Sequence, residues 1–283
     1  MSPPHPHNQT DGSRKRSSGA FSLLADYVAG IWAARYFWIH LSLSDLRTKW
    51  RRSFFGILWT VIQPLGLTIL ISIVFGKIFH TPIGDYAPYI LSGMILWDFV
   101  TASAIGGSLA YVQADAYIKQ STHPLAIYGL RTVLTNLIVF LCAGTSLLVW
   151  VLIWRPQNLG WCWLAVPTII PVLVLIAWPL ATLFGYVGAR FRDLPHGLGL
   201  IFQALWFVSP IYFEPKLFRG GGLDTLVDAN PIYHLLQIVR APLLQGEWPT
   251  PENYAFSFGL IVLLTLLAVM VGRSAEKKVI YYL

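Results

Sequence analysis

Four cations crowd into six residues at Arg47, Lys49, Arg51 and Arg52, and an apolar run, Phe54–Phe79, follows them directly. Such a cluster does two kinds of chemistry. It holds one end of a membrane-crossing helix at the cytoplasmic face, and its guanidinium forks match the oxygens of a phosphate or pyrophosphate headgroup gathered at that face. Acids are scarce, with 13 Asp and Glu in 283 residues. Asp98 is the one acid well inside an apolar span, where it either lines a polar path or bonds a neighbouring helix. Trp59, Trp97, Trp206, Phe207, Tyr212 and Phe213 stand in or beside apolar runs. There they pack, form interfacial belts, or offer flat faces to sugar rings.

The motifs that carry catalysis are missing from the chain. No Gly-x-x-x-x-Gly-Lys-[Ser/Thr] phosphate loop occurs, and the one Gly-Lys pair, Gly76-Lys77, closes an apolar span, so ATP hydrolysis by that route is excluded. There is no His-Glu-x-x-His, no Cys-x-x-Cys and no Gly-x-Ser-x-Gly elbow. No metal site is expected. Cys142 and Cys162 read as small buried hydrophobes rather than a disulfide or a metal site. The net charge of +7 follows the ends of apolar spans, so it marks a membrane surface and not a nucleic acid.

The elements that position these residues are membrane helices. The chain is 55% hydrophobic and 12% charged, with a mean hydropathy of +0.59, against about 25% charged in an average soluble domain. Lipid must cover part of that apolar surface. The expected fold is an all-α membrane protein with six transmembrane helices: Phe54–Phe79, Tyr89–Leu109, Ile127–Trp154, Trp161–Ala189, Leu198–Phe213 and Tyr254–Val271. The fifth is short, and Pro167, Pro171 and Pro179 predict a kink or a late start in the fourth. With both termini cytoplasmic, only Lys77, Arg155, Lys216, Arg219 and Arg240 of the 20 Lys and Arg fall outside, as the positive-inside rule requires.

Three pieces do not span. Phe21–Lys49 carries polar or small residues near the helical period and the anchors Trp32, Tyr36 and Trp38, which predicts an amphipathic helix lying on the membrane surface. Residues 111–124 (YVQADAYIKQSTHP) form a semi-polar cytoplasmic loop, helix-compatible up to Lys119. Residues 214–253 form a long outer segment with a glycine turn at 220–222. Within it, Asn230–Leu244 is too short to cross as a helix, so it reads as re-entrant or interfacial, with Asn230 as N-cap and Pro231 at the first helical position. Residues 1–20 read as a disordered cytoplasmic tail, with no secretory signal.

Several runs resemble, in order, the ABC-2 type permeases that export O-antigen, capsule and teichoic acid glycans. Lys49–Trp59 (KWRRSFFGILW) with Gln63-Pro64-Leu65 is similar to the start of their first span, and Leu91–Trp97 (LSGMILW) to their second. Tyr117–Gln120 with His123-Pro124-Leu125 resembles the segment that docks on the ATPase. Gln120-Ser-Thr-His stands there where a basic-aromatic pair is more usual. Ala189–Leu194 is similar to their short cytoplasmic loop, and Ser209–Tyr212 and Asn230–Arg240 to their fifth span and outer re-entrant region.

The resemblance covers about residue 21 to the C-terminus. It implies a homodimer paired with two copies of a separate nucleotide-binding subunit, which binds the ATP and magnesium, so this chain carries no cofactor of its own. Residues 21–50 would be the interfacial gate helix and 51–283 the transmembrane domain. Tyr111, Asp115, Tyr117, Ile118, Lys119 and His123 would contact the ATPase. The substrate implied is a lipid-pyrophosphate-linked polysaccharide crossing the bacterial inner membrane, its headgroup met by Arg47, Lys49, Arg51 and Arg52 and its sugars by the aromatics and Asp98. The competing readings are export of a drug or small lipid by the same fold, and a membrane-embedded transferase acting on a lipid-linked sugar. The transferase would need acids grouped at one face, whereas Asp85, Asp98, Asp115 and Asp193 are spread over both faces and the interior.

Overall fold

The computed structural model describes residues 20–120, 123–213, 215 and 227–283, so the tail 1–19 and the glycine turn at 220–222 lie outside the described residues. Among these residues all regular structure is helical. Helices α1 (Ala20–Ala33) and α2 (Arg35–Lys49) precede α3 (Trp59–Phe79), α4 (Ile83–Gln113) and the short α5 (Asp115–Gln120). After α6 (Ala126–Trp154) a 3₁₀ run, Trp161–Thr168, leads into α7 (Ile169–Arg190) and α8 (Leu194–Val208). Then come α9 (Pro231–Arg240), extended by a π-turn at Ala241–Gln245, and α10 (Pro251–Tyr282).

Among the described residues, five segments are long and apolar enough to cross a bilayer: Gly56–Phe79, Ile83–Gln113, Ala126–Trp154, Trp161–Arg190 and Pro251–Glu276. The protein is therefore a multi-pass membrane protein. The fifth expected span is a helix of 15 residues, α8, about 22 Å long at 1.5 Å per residue, short of the roughly 30 Å of hydrocarbon. The fourth span does start late: Pro167 sits in the 3₁₀ run and the α-helix begins only at Ile169. The surface-helix expectation of one continuous element becomes two, broken at Ala34.

Helix α4 is the hub. Within its apolar window 72% of residues are buried, against 17% in those of α3, α6 and α10. Lipid is as apolar as leucine, so association between spans depends on close packing rather than on hydrophobic burial. Small residues supply it here. A Cβ on Gly188 of α7 would sit 2.0 Å from the Ser108 carbonyl oxygen of α4, and one on Gly107 would sit 2.4 Å from the Ala181 Cα. Ser92, Ala104 and Ser108 of α4 are likewise buried.

Helix α2 is tied to the end of the bundle that carries α5. Arg131 of α6 donates from both Nε and Nη2 to the two carboxylate oxygens of Asp45, the first at 2.6 Å. The buried Ser42 hydroxyl donates to the Arg131 carbonyl at 3.1 Å. A forked Arg–carboxylate pair fixes angle as well as distance. Asp45→Ala is expected to cost about 2 kcal/mol, read as a lower unfolding midpoint in detergent, while Ser44→Ala, exposed beside it, leaves the midpoint in place.

Candidate functional site

The two ends of the bundle carry different chemistry. At the α9 end, the chain leaves α8 in an irregular stretch, Ser209–Phe213, whose backbone groups lack a helical ladder. In a bilayer such groups need partners from the protein. Arg240, at the end of α9 and 1% exposed, supplies them. Its Nη1 donates to the Pro210 carbonyl at 2.7 Å and its Nη2 to those of Ile211 and Tyr89 at 3.0 Å each. Its Nε reaches the Ser92 hydroxyl at 3.1 Å, and its guanidinium lies 3.6 Å from the Tyr89 ring centre. Gly93 makes the room, because a Cβ there would lie 2.9 Å from Arg240 Nη2. The Tyr86 hydroxyl donates to the Tyr212 carbonyl, and that of Tyr89 to the Phe213 carbonyl at 2.8 Å.

Local sequence explains why α9 starts where it does. The Asn230 side chain accepts from the Ile232 N–H at 2.9 Å, with Pro231 at the first helical position. Its amide also donates to the Ser209 hydroxyl at 3.1 Å. The cap that starts α9 thus also holds the end of α8. Charge counting placed Arg240 among the outer cations and gave no sign that it is buried. The signal available was its place at the end of a strongly apolar run.

Of the sequence-predicted aromatics, four come together beside this clamp. Trp206 stacks on Tyr212 at 5.1 Å and meets Phe207 edge-on, Tyr212 meets Phe213 edge-on, and Phe75 of α3 joins them. Trp97 stands apart, buried in the core against Phe202. Trp59, at the other end of α3, is far along the chain from both and 45% exposed.

Trp59 instead shares a cavity of about 330 Å³ with Lys49, Gln63, Asp98 and Asn136, lined by α3, α4, α6 and the end of α2. The Thr101 hydroxyl on its wall is buried and has no hydrogen-bond partner. So one of the four candidate headgroup cations lines the same cleft as the membrane acid. Arg47, Arg51 and Arg52 are exposed beside it and do not line it. Arg52 turns the chain with a left-handed φ of 66°.

At the same end, α5 presents Asp115 and Lys119, ion-paired at 2.9 Å, together with Tyr117 and His123 on an outward face. Phe37 of α2 packs on both Tyr117 and His123. Ile118 and Tyr111 point inward instead. Tyr111 is fully buried, and its hydroxyl donates to the Thr182 carbonyl at 3.4 Å. Four of the six residues expected to contact the ATPase are thus on the surface, and two anchor that surface to the bundle. Tyr27 of α1 completes the anchorage. Its hydroxyl donates to Glu276 of α10 and accepts from the Ala126 N–H, both at 3.4 Å. Burial, and then the Glu276 charge, pushes its pKa up to about 12, so it remains a donor at every physiological pH.

A bundle of apolar spans, a short helix and loop packed on α2, and a capped half-length helix at the far end make one pattern. Residues 37–244 match the ABC-2 type transporter family. The chain is 21% identical to the O-antigen export system permease protein RfbA of Klebsiella pneumoniae over 238 residues, covering 84% of this chain and 89% of the relative. It is 21% identical to the RfbA permease of Myxococcus xanthus over 241 residues, 85% and 92% of the two chains. Similarity to the polysialic acid transport protein KpsM of Escherichia coli runs at 23% over 259 residues, covering 83% of this chain and 92% of the relative. With most of its length matched, this chain belongs to the ABC-2 type transporter family.

Proposed function

We propose that the chain is the membrane subunit of an exporter that carries a lipid-pyrophosphate-linked cell-surface polysaccharide across the bacterial inner membrane. Two copies act with two ATP-hydrolysing subunits, which hold the ATP and magnesium. The observation that carries this reading is the near full-length similarity to permeases named for O-antigen export and polysialic acid transport, in a chain that has no phosphate loop of its own.

Both termini are cytoplasmic in this reading, so the α5 end faces the cytoplasm and the α9 end faces out. Helix α8 and the irregular Ser209–Phe213 together make the sixth crossing, their backbone supported by Arg240 and the two tyrosines. Segment α9 with its π-turn is the re-entrant piece, since ten helical residues reach only about 15 Å. The cleft of Lys49, Trp59 and Asp98 receives the lipid headgroup, with Arg47, Arg51 and Arg52 gathering it electrostatically. The Trp206–Tyr212 cluster lines the sugar path. Asp115, Tyr117, Lys119 and His123 take the push of the ATPase, and Phe37 relays it to α2.

Deleting the gene is expected to leave lipid-linked glycan accumulated on the cytoplasmic side and none newly surfaced, as seen by extraction and surface labelling. The purified chain is expected to retain an ATP-hydrolysing subunit. Normal surface glycan in the deletion strain, or a chain that transports without any ATPase, overturns the reading.

A further inference from the structure

A groove runs between α7 and α10, with α1 and the start of α6 at one end of it. Its volume is about 620 Å³, inside the range of about 300–1,000 Å³ usual for ligand sites. Leu175, Trp178 and Pro179 of α7 face Ala268 and Val269 of α10 across it. Leu175 is 45% exposed, so the groove opens sideways to lipid. From Leu175 to Tyr186, and from Thr265 to Glu276, each edge runs about 16 Å at 1.5 Å per residue. That is the depth of one leaflet, half of the roughly 30 Å of hydrocarbon.

A hydrocarbon tail gains little by leaving lipid for such a groove, because both are equally apolar. Selection therefore falls to the end that carries charge. Arg273 and Glu276 both line that end, three positions apart on α10. Residues so spaced share one helix face, about 5–6 Å apart. A phosphate and an ammonium joined by two carbons have a comparable spacing. The end is also firmly built. The Tyr27 hydroxyl of α1 donates to Glu276 Oε1 at 3.4 Å, and the Trp178 indole donates to the Ala126 carbonyl at 2.9 Å. Gly272 lets α10 come close to α7, since a Cβ there would lie 3.1 Å from the Tyr186 hydroxyl oxygen.

We propose that this groove holds one phospholipid with a zwitterionic aminoethyl headgroup, phosphatidylethanolamine by chemistry. Its tail lies along α7 and α10, its phosphate meets Arg273 and its ammonium meets Glu276. A guanidinium fork suits phosphate oxygens, and a carboxylate accepts the N–H groups of a primary ammonium. Phosphatidylglycerol offers the acid no cation, and its net negative charge is repelled there, which is selection by repulsion. The proposed topology puts the site in the cytoplasmic leaflet. The inference goes beyond export and holds whatever glycan is carried.

The test uses the purified full chain in detergent with equal parts of phosphatidylethanolamine, phosphatidylcholine and phosphatidylglycerol, and native mass spectrometry to read which lipid stays bound. Wild type is expected to retain phosphatidylethanolamine about tenfold over phosphatidylglycerol. Phosphatidylcholine should fall between them, since it keeps the cation but lacks the N–H groups. Glu276→Gln keeps an acceptor for Tyr27 and is expected to erase the preference. Glu276→Lys is expected to reverse it toward phosphatidylglycerol, and Arg273→Gln to lose all three lipids. A reversal cannot come from misfolding, because a collapsed groove retains neither lipid. Equal retention of the three lipids by wild type, as tails alone would give, or retention of none overturns the assignment. So does a preference that Glu276→Gln and Glu276→Lys leave unchanged, or lipid binding that requires removal of residues 1–19.

Discussion

Arg240→Met is expected to leave little folded protein in detergent extracts. The side chain is of similar length and apolar, so it fills the space, but it removes the donors to the Pro210, Ile211 and Tyr89 carbonyls and the Ser92 hydroxyl. Each buried acceptor left without a partner costs about 1–3 kcal/mol. The Pro210 and Tyr89 carbonyls keep the Tyr89 and Ser92 hydroxyls at 3.3 and 2.7 Å. The Ile211 carbonyl and the lost charge-assisted bonds therefore carry the effect, a loss of about 3 kcal/mol or more from the roughly 5–15 kcal/mol margin of many folded domains. Arg240→Lys keeps the charge but replaces a planar fork by a point donor that cannot address acceptors lying on different sides. It is expected to recover only part of the yield. The measurement is the monodisperse fraction on gel filtration after a heating series. Wild-type behaviour of Arg240→Met would show that Ser209–Phe213 is held by other means.

Gly188→Ala is the second large effect. Its added methyl would meet the Ser108 carbonyl oxygen at 2.0 Å and the Ser108 carbonyl carbon at 2.8 Å. These are backbone atoms of α4, the most buried span, so α7 must move away along its length. Forced overpacking of this kind costs about 3 kcal/mol or more. Gly107→Ala, with Ala181 Cα at 2.4 Å, should behave the same way from the other helix. The control is Gly199→Ala in α8, where nothing lies within 4 Å of the added carbon. There alanine is expected to be neutral or to stabilise by about 0.5–1 kcal/mol through its better helix propensity. Unfolding midpoints of the three variants decide the matter. Equal midpoints would mean that α4 and α7 are not locked at these glycines.

How much of this was legible in the residues varies by element. The long spans announced themselves through length and apolarity, and the start of α9 through Asn230-Pro231, because those signals are local. The late start of the fourth span followed from Pro167 for the same reason. The break at Ala34 had no sequence mark, since alanine is a good helix former and the interruption is set by what α1 and α2 each pack on. Helix α8 stops at Val208 and leaves Ser209–Phe213 irregular, although the apolar run continues. Only the three-dimensional arrival of Arg240 makes that irregular backbone tolerable. Basic residues count toward topology from sequence alone, yet whether one is buried depends on acceptors far away in the chain. Of the candidate site residues, Lys49, Trp59 and Asp98 meet in one cleft, which no spacing rule foretells. Trp97 looked like its aromatic neighbours in sequence but faces the core, because α4 is buried nearly all round.

The Arg240 clamp also orders the birth of the molecule. Its acceptors at Tyr89, Ser92, Pro210 and Ile211 all precede it in the chain, the farthest by 151 positions. Synthesis proceeds from the N-terminus, and domains generally assemble as they emerge. Every oxygen of the cradle is therefore synthesised before the cation leaves the ribosome, but the Pro210 and Ile211 carbonyls are held in place only once the arginine reaches them. A chain interrupted just before Arg240 would hold all four acceptors and lack their shared donor, so the far face of the bundle closes only in the last stage of biosynthesis.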